Sequence, residues 1–165
     1  MELHVDLEAP WPPAIDWTDL TFRCADAAAQ VAPELANQRL TADLLLTSDD
    51  AVETLNRQWR AKDKPTNVLS FPMLGRTDLR ALSDDGPEEM LGDLALALET
   101  CTREAAEKGI PLEHHAAHLI VHGLLHLAGY DHETSSEDAT VMEALEIKAL
   151  ALLGLADPYG DHDQQ

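Results

Sequence analysis

The histidines of this chain are concentrated in one stretch. Of eight in all, six stand at positions 114, 115, 118, 122, 126 and 132, and three of these frame the run His122-Gly-Leu-Leu-His126-Leu-Ala-Gly129-Tyr-Asp-His132. Residues four apart project from one helix face about one turn apart, so His122 and His126 can each offer an imidazole nitrogen to a single cation. Gly129 can take the left-handed backbone that ends a helix, which turns the chain and brings His132 toward the same point. Three neutral imidazoles suit zinc, and three protein ligands leave a fourth tetrahedral position for water, the arrangement of a catalytic rather than a structural site. One zinc ion per chain is therefore expected. Burying three imidazoles around one glycine turn without a cation would leave several polar nitrogens seeking partners. His118, one turn before His122, is placed to support a ligand from behind, although His115 and His118 taken singly also read as core histidines with a hydrogen-bonded neighbour.

The spacing is that of the metzincin protease pattern His-Glu-x-x-His-x-x-Gly-x-x-His, except that position 123 is Gly. Without a carboxylate to take the proton from water, peptide hydrolysis by that route loses about two to four orders of magnitude. A peptidase is the weaker reading. A second group of chemistry-bearing residues lies earlier: Arg57, Arg60, Lys62 and Lys64 put four of the eleven basic residues into eight consecutive positions, with Asp63 among them. Such a segment can hold a phosphate. It is equally what a solvated helix end looks like, since cations suit the dipole there.

The histidine run resembles that of the YbeY family of bacterial endoribonucleases. Arg60-Ala-Lys-Asp-Lys-Pro-Thr-Asn-Val-Leu-Ser-Phe-Pro72 and Leu91-Gly92-Asp93 also look like that family's motifs, in the same order. The likeness implies a zinc-dependent nuclease that prefers single-stranded RNA, acts on ribosomal RNA at the 3′ end of the small-subunit RNA, and takes part in ribosome quality control. It implies metal ligands at His122, His126 and His132 and a catalytic Arg60; Arg57, Lys62 and Lys64, by their charge beside it, are the expected RNA contacts. Its partners would be ribosomal RNA and the small ribosomal subunit or its proteins. Zinc can lower the pKa of bound water toward about 7 or polarise a phosphoryl oxygen, so either water or the RNA 2′-hydroxyl can be the nucleophile. Two other readings stay open: a metal-dependent hydrolase of another substrate class, and a non-enzymatic ribosome assembly factor whose zinc only holds the fold. Asp93 is a candidate for positioning a loop, or an ordinary turn residue.

The elements that must hold these groups follow from periodicity. Leu3, Val5 and Leu7 alternate as a first strand, and prolines 10, 12 and 13 make a stiff connection to a helix with Trp17, Leu20, Cys24, Ala27, Val31 and Leu35 at helical steps. Leu40 to Thr47 reads as a strand. Ser48 then caps a helix that buries Val52, Leu55 and Trp59 and stops near Lys62, before Pro65. A short strand at Val68 to Phe71, a loop rich in Asp, Gly and Pro, a strand from Leu91 to Leu98 and a helix from Thr100 to Lys108 come next. The helix bearing the histidines opens at Pro111, is apolar nearly all round, and should lie mid-domain. A last helix is expected to begin with Thr134 and Glu137 in capping-box spacing and to bury Val141, Leu145, Ala149 and Leu152. The expected fold is α+β, one mixed four-stranded sheet packed by about five helices, with the metal-binding helix and turn near the C-terminus.

At 165 residues and 45% hydrophobic content the chain suits one domain, read as 1–156, followed by a disordered acidic tail at 157–165. The net charge of −20 speaks against broad adhesion to nucleic acid, so RNA contact must be local. No membrane span or signal peptide is read, which makes a cytoplasmic protein the expectation. Cys24 and Cys101 are read as buried packing thiols rather than a disulfide.

Overall fold

A computed structural model describes residues 1–8, 11–60, 66–130 and 135–159, with positions 59 and 60 described by backbone alone. Its centre is a four-stranded sheet in the order β1-β2-β4-β3, formed by β1 (Glu2–Leu7), β2 (Leu40–Thr47), β3 (Val68–Pro72) and β4 (Glu89–Ala97). β1 and β4 run parallel to β2, and β3 pairs antiparallel with β4, so the sheet is mixed as expected.

Alternation divides the strands between two faces. Leu3, Ala42, Leu44, Leu46, Leu94 and Leu96 enter the main core with Trp17, Leu20 and Cys24 of α1 (Trp17–Val31). The opposite face carries a smaller cluster in which Val52 of α2 (Asp49–Arg60) covers Leu69, Ala95 and Ala97. The proline-rich connection is pinned by Trp11, whose indole N–H donates to the Thr47 carbonyl at 2.9 Å, and by its edge-on contact with Trp17.

α5 (Leu112–Leu127) runs through the middle of the molecule, with Ala116, Ile120, Val121, Leu124 and Leu125 almost wholly buried. It packs against α1, α4 (Leu98–Lys108), α6 (Ser136–Leu152), β3 and β4. The ends of α2 and α4 are clasped together. Asp49 accepts from the Thr100 N–H and hydroxyl, both at 2.9 Å, while the Asp49 N–H donates to Glu99 at 3.0 Å. Each helix start thereby fills the other's unsatisfied groups.

Several expectations shift. The first helix ends at Val31, because Pro33 opens a separate 3-10 turn, Pro33–Ala36, that carries Leu35 into the core. The loop before β4 contains a sixth helix, α3 (Arg76–Ala81), whose sequence signal is weak because it has no side-chain cap and buries only Leu79. β4 runs directly into α4 at Leu98, and Pro111 caps α5 rather than opening it. α6 is capped by Ser135, whose hydroxyl accepts from the Asp138 N–H, not through the spacing read from Thr134, a residue outside the described set. Its buried face is Met142, Glu146, Ala149 and Leu150, leaving Val141 and Leu152 about half exposed. The carboxylate of Glu146 sets that rotation, because its partners lie on α5, and Met142 and Leu150 follow it inward at four-residue steps. No helix among the described residues is long and apolar enough to cross a membrane. Cys24 and Cys101 are free and buried, and burial pushes both thiols up to about 12.

Candidate metal centre

A cavity of about 620 Å³ opens where α5 faces β3 and α4. His118, His122 and His126 form one wall, Asn67 and Ser70 another, and Asn56, Lys108 and Tyr159 complete it. The periodicity of α5 places the two motif histidines here as expected. Their rings are 6.4 Å apart and nearly parallel, at 12°.

Each ring has an oxygen near its Nδ1. That of His126 lies 2.9 Å from the Tyr130 carbonyl, and that of His122 lies 3.3 Å from Glu146 Oε2, close for an ion pair but short of hydrogen-bond alignment. A proton on Nδ1 leaves the lone pair on Nε2, so both imidazoles can present the same atom to a cation. This donor set fits a zinc ion. The turn that follows is built on Gly129, at φ 97°, and on Tyr130, whose hydroxyl donates to Glu34 at 2.7 Å while the Arg76 guanidinium stands 4.6 Å from its ring. His132 lies outside the described residues, so the third expected ligand is not placed.

Behind the two histidines is a buried acid that the sequence does not announce. Glu146 is 0% exposed. Its Oε1 is 2.6 Å from His118 Nε2 and accepts from the Tyr159 hydroxyl at 2.7 Å. Burial alone would raise its pKa, but the contacts with His118, His122 and Tyr159 outweigh that and hold it down at about 2. Burial and the adjoining carboxylate drive Tyr159 upward. His118, His122 and Glu146 bring potential ligand atoms within 4.8 Å of one another, a group able to hold a metal ion. Tyr159 belongs to the segment read as an acidic tail; residues 157–159 are described and this one is anchored in the site, whereas 160–165 lie outside the described residues.

A second pair, buried His115 and half-buried Glu104, flanks the cavity. Glu104 Oε1 accepts from the Asn67 amide at 3.0 Å and sits 2.8 Å from His115 Nε2, which ties the start of β3 to α4 and α5. Burial pulls the His115 pKa down, and the contacts with His115 and Asn67 hold Glu104 low against its own partial burial.

The basic segment is only partly placed. Arg57 is exposed on α2 and is not among the residues lining the cavity. Position 60 closes α2 one turn after Asn56, which does line it, while Lys62 and Lys64 are outside the described residues. The next residues, Thr66 to Ser70, form the cavity wall. Asp93 points to the other sheet face, where burial and then the neighbouring Asp43 raise its pKa. Gly123, standing where a metzincin has its glutamate, packs on β4: a Cβ there would lie 2.7 Å from Leu94 Cδ2.

Glu146, Tyr159, Glu104 and His115 are site residues that the sequence alone does not assign. The available signal is an acid on the apolar face of the last helix, in register with histidines one turn apart on another helix.

Comparison with known proteins agrees with the geometry. The family model described as Endoribonuclease YbeY matches residues 15–154. Curated proteins named Endoribonuclease YbeY include one from Novosphingobium aromaticivorans, 60% identical over 98% of this chain and 97% of its own, and one from Erythrobacter litoralis, 62% identical over 98% and 99%. A solution structure of a Thermotoga maritima protein shares the fold, with a TM-score of 0.58 at 22% identity, covering 96% of this chain and 99% of that one. With the motif histidines on one wall of an open cavity and relatives matched along almost their whole length, the chain belongs to the endoribonuclease YbeY family.

Proposed function

We propose that this chain is a zinc-dependent endoribonuclease that cleaves single-stranded ribosomal RNA in the cytoplasm, at the 3′ end of the small-subunit RNA, and serves ribosome quality control there. The observation that carries the reading is the pair His122 and His126, stacked on the wall of an open polar cavity, one with its Nδ1 near a buried carboxylate and the other with its Nδ1 on a backbone carbonyl. His132 is the third zinc ligand. Zinc held there supplies Lewis-acid polarisation of a phosphoryl oxygen and a lowered pKa for water.

The protein's own groups do the rest. Arg60 follows Asn56, a residue that lines the cavity, by one helical turn, and its planar guanidinium is the group suited to brace a phosphate through two parallel hydrogen bonds. Arg57, Lys62 and Lys64 steer the strand toward that position. Asn67, fixed by Glu104, holds the residues that follow the basic segment against the cavity. With a net charge of −20 over the whole chain, few phosphates are held, and proteins of the small subunit deliver the substrate.

The test is cleavage of a single-stranded oligoribonucleotide by purified, chelator-stripped and zinc-restored protein, beside His126→Ala. Activity should vanish on stripping and return with zinc, and His126→Ala should retain little metal by mass spectrometry. Undiminished cleavage by the stripped protein would overturn the reading. A substrate with one 2′-deoxy sugar at the cleavage position separates the two nucleophiles, since attack by water survives that change and attack by the 2′-hydroxyl does not.

A further inference from the structure

Glu146 is the one fully buried carboxylate among the described residues, and its partners sit on other segments of the chain. An acid side chain at 0% exposure is costly unless its lone pairs are filled. Here Oε1 takes Tyr159 at 2.7 Å and His118 at 2.6 Å, while Oε2 makes no hydrogen bond and stands 3.3 Å from His122 Nδ1, an ion-pair contact. Three side chains from two other segments thus converge on one carboxylate. His122 is the member of the three that also belongs to the histidine motif.

We propose that Glu146 is a positioning residue for the metal: through Oε2 it keeps the proton of His122 on Nδ1 and the lone pair of Nε2 directed to the cation, while Tyr159 and His118 hold the carboxylate itself in place. This inference rests on the zinc reading given above. His126 obtains the same service from a backbone carbonyl, that of Tyr130. The two ligands on one helix are therefore oriented by different means, one from the following turn and one from a different helix. A carboxylate behind a ligating imidazole also raises the basicity of the ring. Tyr159 extends the arrangement to the C-terminal segment, so that the residues after α6 help to set a ligand on α5. In the alternative arrangement of the same atoms, the cation would sit among His118, His122 Nδ1 and Glu146, with the carboxylate as a direct ligand.

The experiment measures zinc affinity of the full chain by competition with a chelator, for the wild type and for Glu146→Gln, Tyr159→Phe, His118→Ala and His126→Ala. The ring tautomers of the zinc-loaded wild type are read by long-range ¹H–¹⁵N correlation. Glu146→Gln keeps the shape and one acceptor oxygen but loses the charge, and should weaken zinc binding about 10- to 100-fold. Tyr159→Phe should weaken it less, in the same direction, and His126→Ala more than either. His122 should appear with its proton on Nδ1. A purely structural role for Glu146 would change the unfolding of the metal-free protein and leave that tautomer and the affinity unmoved. Unchanged affinity in Glu146→Gln, beside loss in His126→Ala, overturns the positioning role and leaves the zinc reading standing. Unchanged affinity in His126→Ala sinks the zinc reading itself. A proton found on Nε2 of His122, with His118→Ala as damaging as His126→Ala, overturns the proposal by making Glu146 a ligand. If Glu146→Gln does not fold, Tyr159→Phe and the wild-type tautomer decide the matter.

Discussion

Replacing Gly129 by Ala tests whether the turn after α5 is a working part of the metal centre. The perturbation has two components that a second glycine separates. Gly109 ends α4 at φ 68°, and a Cβ there would have nothing within 4 Å, so Ala meets only the left-handed backbone, about 1–2 kcal/mol, partly offset by the stiffer unfolded chain. The net loss at 109 should be about 1 kcal/mol. Gly129 adopts φ 97°, and a Cβ would stand 2.5 Å from Arg76 Cβ and 2.9 Å from its Cγ. Overpacking of that kind adds about 1–3 kcal/mol, so Gly129→Ala should lose about 2–4 kcal/mol in all. A domain of ordinary stability, about 5–15 kcal/mol, survives that and remains measurable. Urea unfolding of the metal-free variants gives the two losses. Arg76 lies against the Tyr130 ring, and Tyr130 supplies the carbonyl that holds His126, so relief of the clash should also disturb a ligand. Zinc affinity of Gly129→Ala should fall at least about tenfold, with no change at all for Gly109→Ala. Equal stability losses at the two glycines, or unaltered zinc affinity at 129, would refute the reasoning.

Arg60→Ala should retain zinc and fold yet lose most RNA cleavage, with Arg60→Lys recovering part of it, because an ammonium lacks the two-pronged geometry; unimpaired turnover by Arg60→Ala would remove the residue from the mechanism. With two to four phosphates held, the slope of log affinity for single-stranded RNA against log salt should be about −1.5 to −3. The Lys62→Ala, Lys64→Ala double variant should flatten it, whereas Arg23→Ala, exposed on the outer face of α1 and paired with Asp19, should not; a titration across salt showing equal effects would place RNA elsewhere. The metal-free protein should lose stability on acidification. Burial lowers the folded pKa of His115, so its contribution is complete above about 6.5 and is lost as pH falls below that. Glu104 is also held low, so its contribution is present above the usual carboxylate range and is lost at more acid pH still. Thermal unfolding from about pH 8 to about pH 4 should show the first loss largely absent in His115→Gln; an unchanged profile would remove the assignment.

The first strand and the two motif histidines are legible in the sequence because each rests on a local rule, alternation for β1 and the four-residue step for His122 and His126. α3 escapes because six residues with one buried leucine carry almost no periodic signal. The face of α6 is hidden for a different reason. Counting apolar residues favours Val141 and Leu152, but the rotation of the helix is decided by Glu146, whose partners lie 28 and 24 residues away on α5. Tyr159 reads as tail for the same reason, since the composition around it is acidic and its anchoring contacts are made with other helices. Charge burial is a property of pairs, and a pair split between distant segments leaves no pattern in either one.

The contact between Gly123 and Leu94 also bears on how such a site can change over time. A glutamate at 123, the one residue that separates this histidine run from the peptidase pattern, would drive its Cβ into a leucine that is 3% exposed and held on a central strand. Trimming that leucine first to make room would leave a void costing about 2–5 kcal/mol, with no catalytic return until the second change arrived. The two substitutions are coupled, and each is harmful alone. The two chemistries therefore stand on separate peaks with a valley between them, and the crowding at one side chain on β4 keeps them apart.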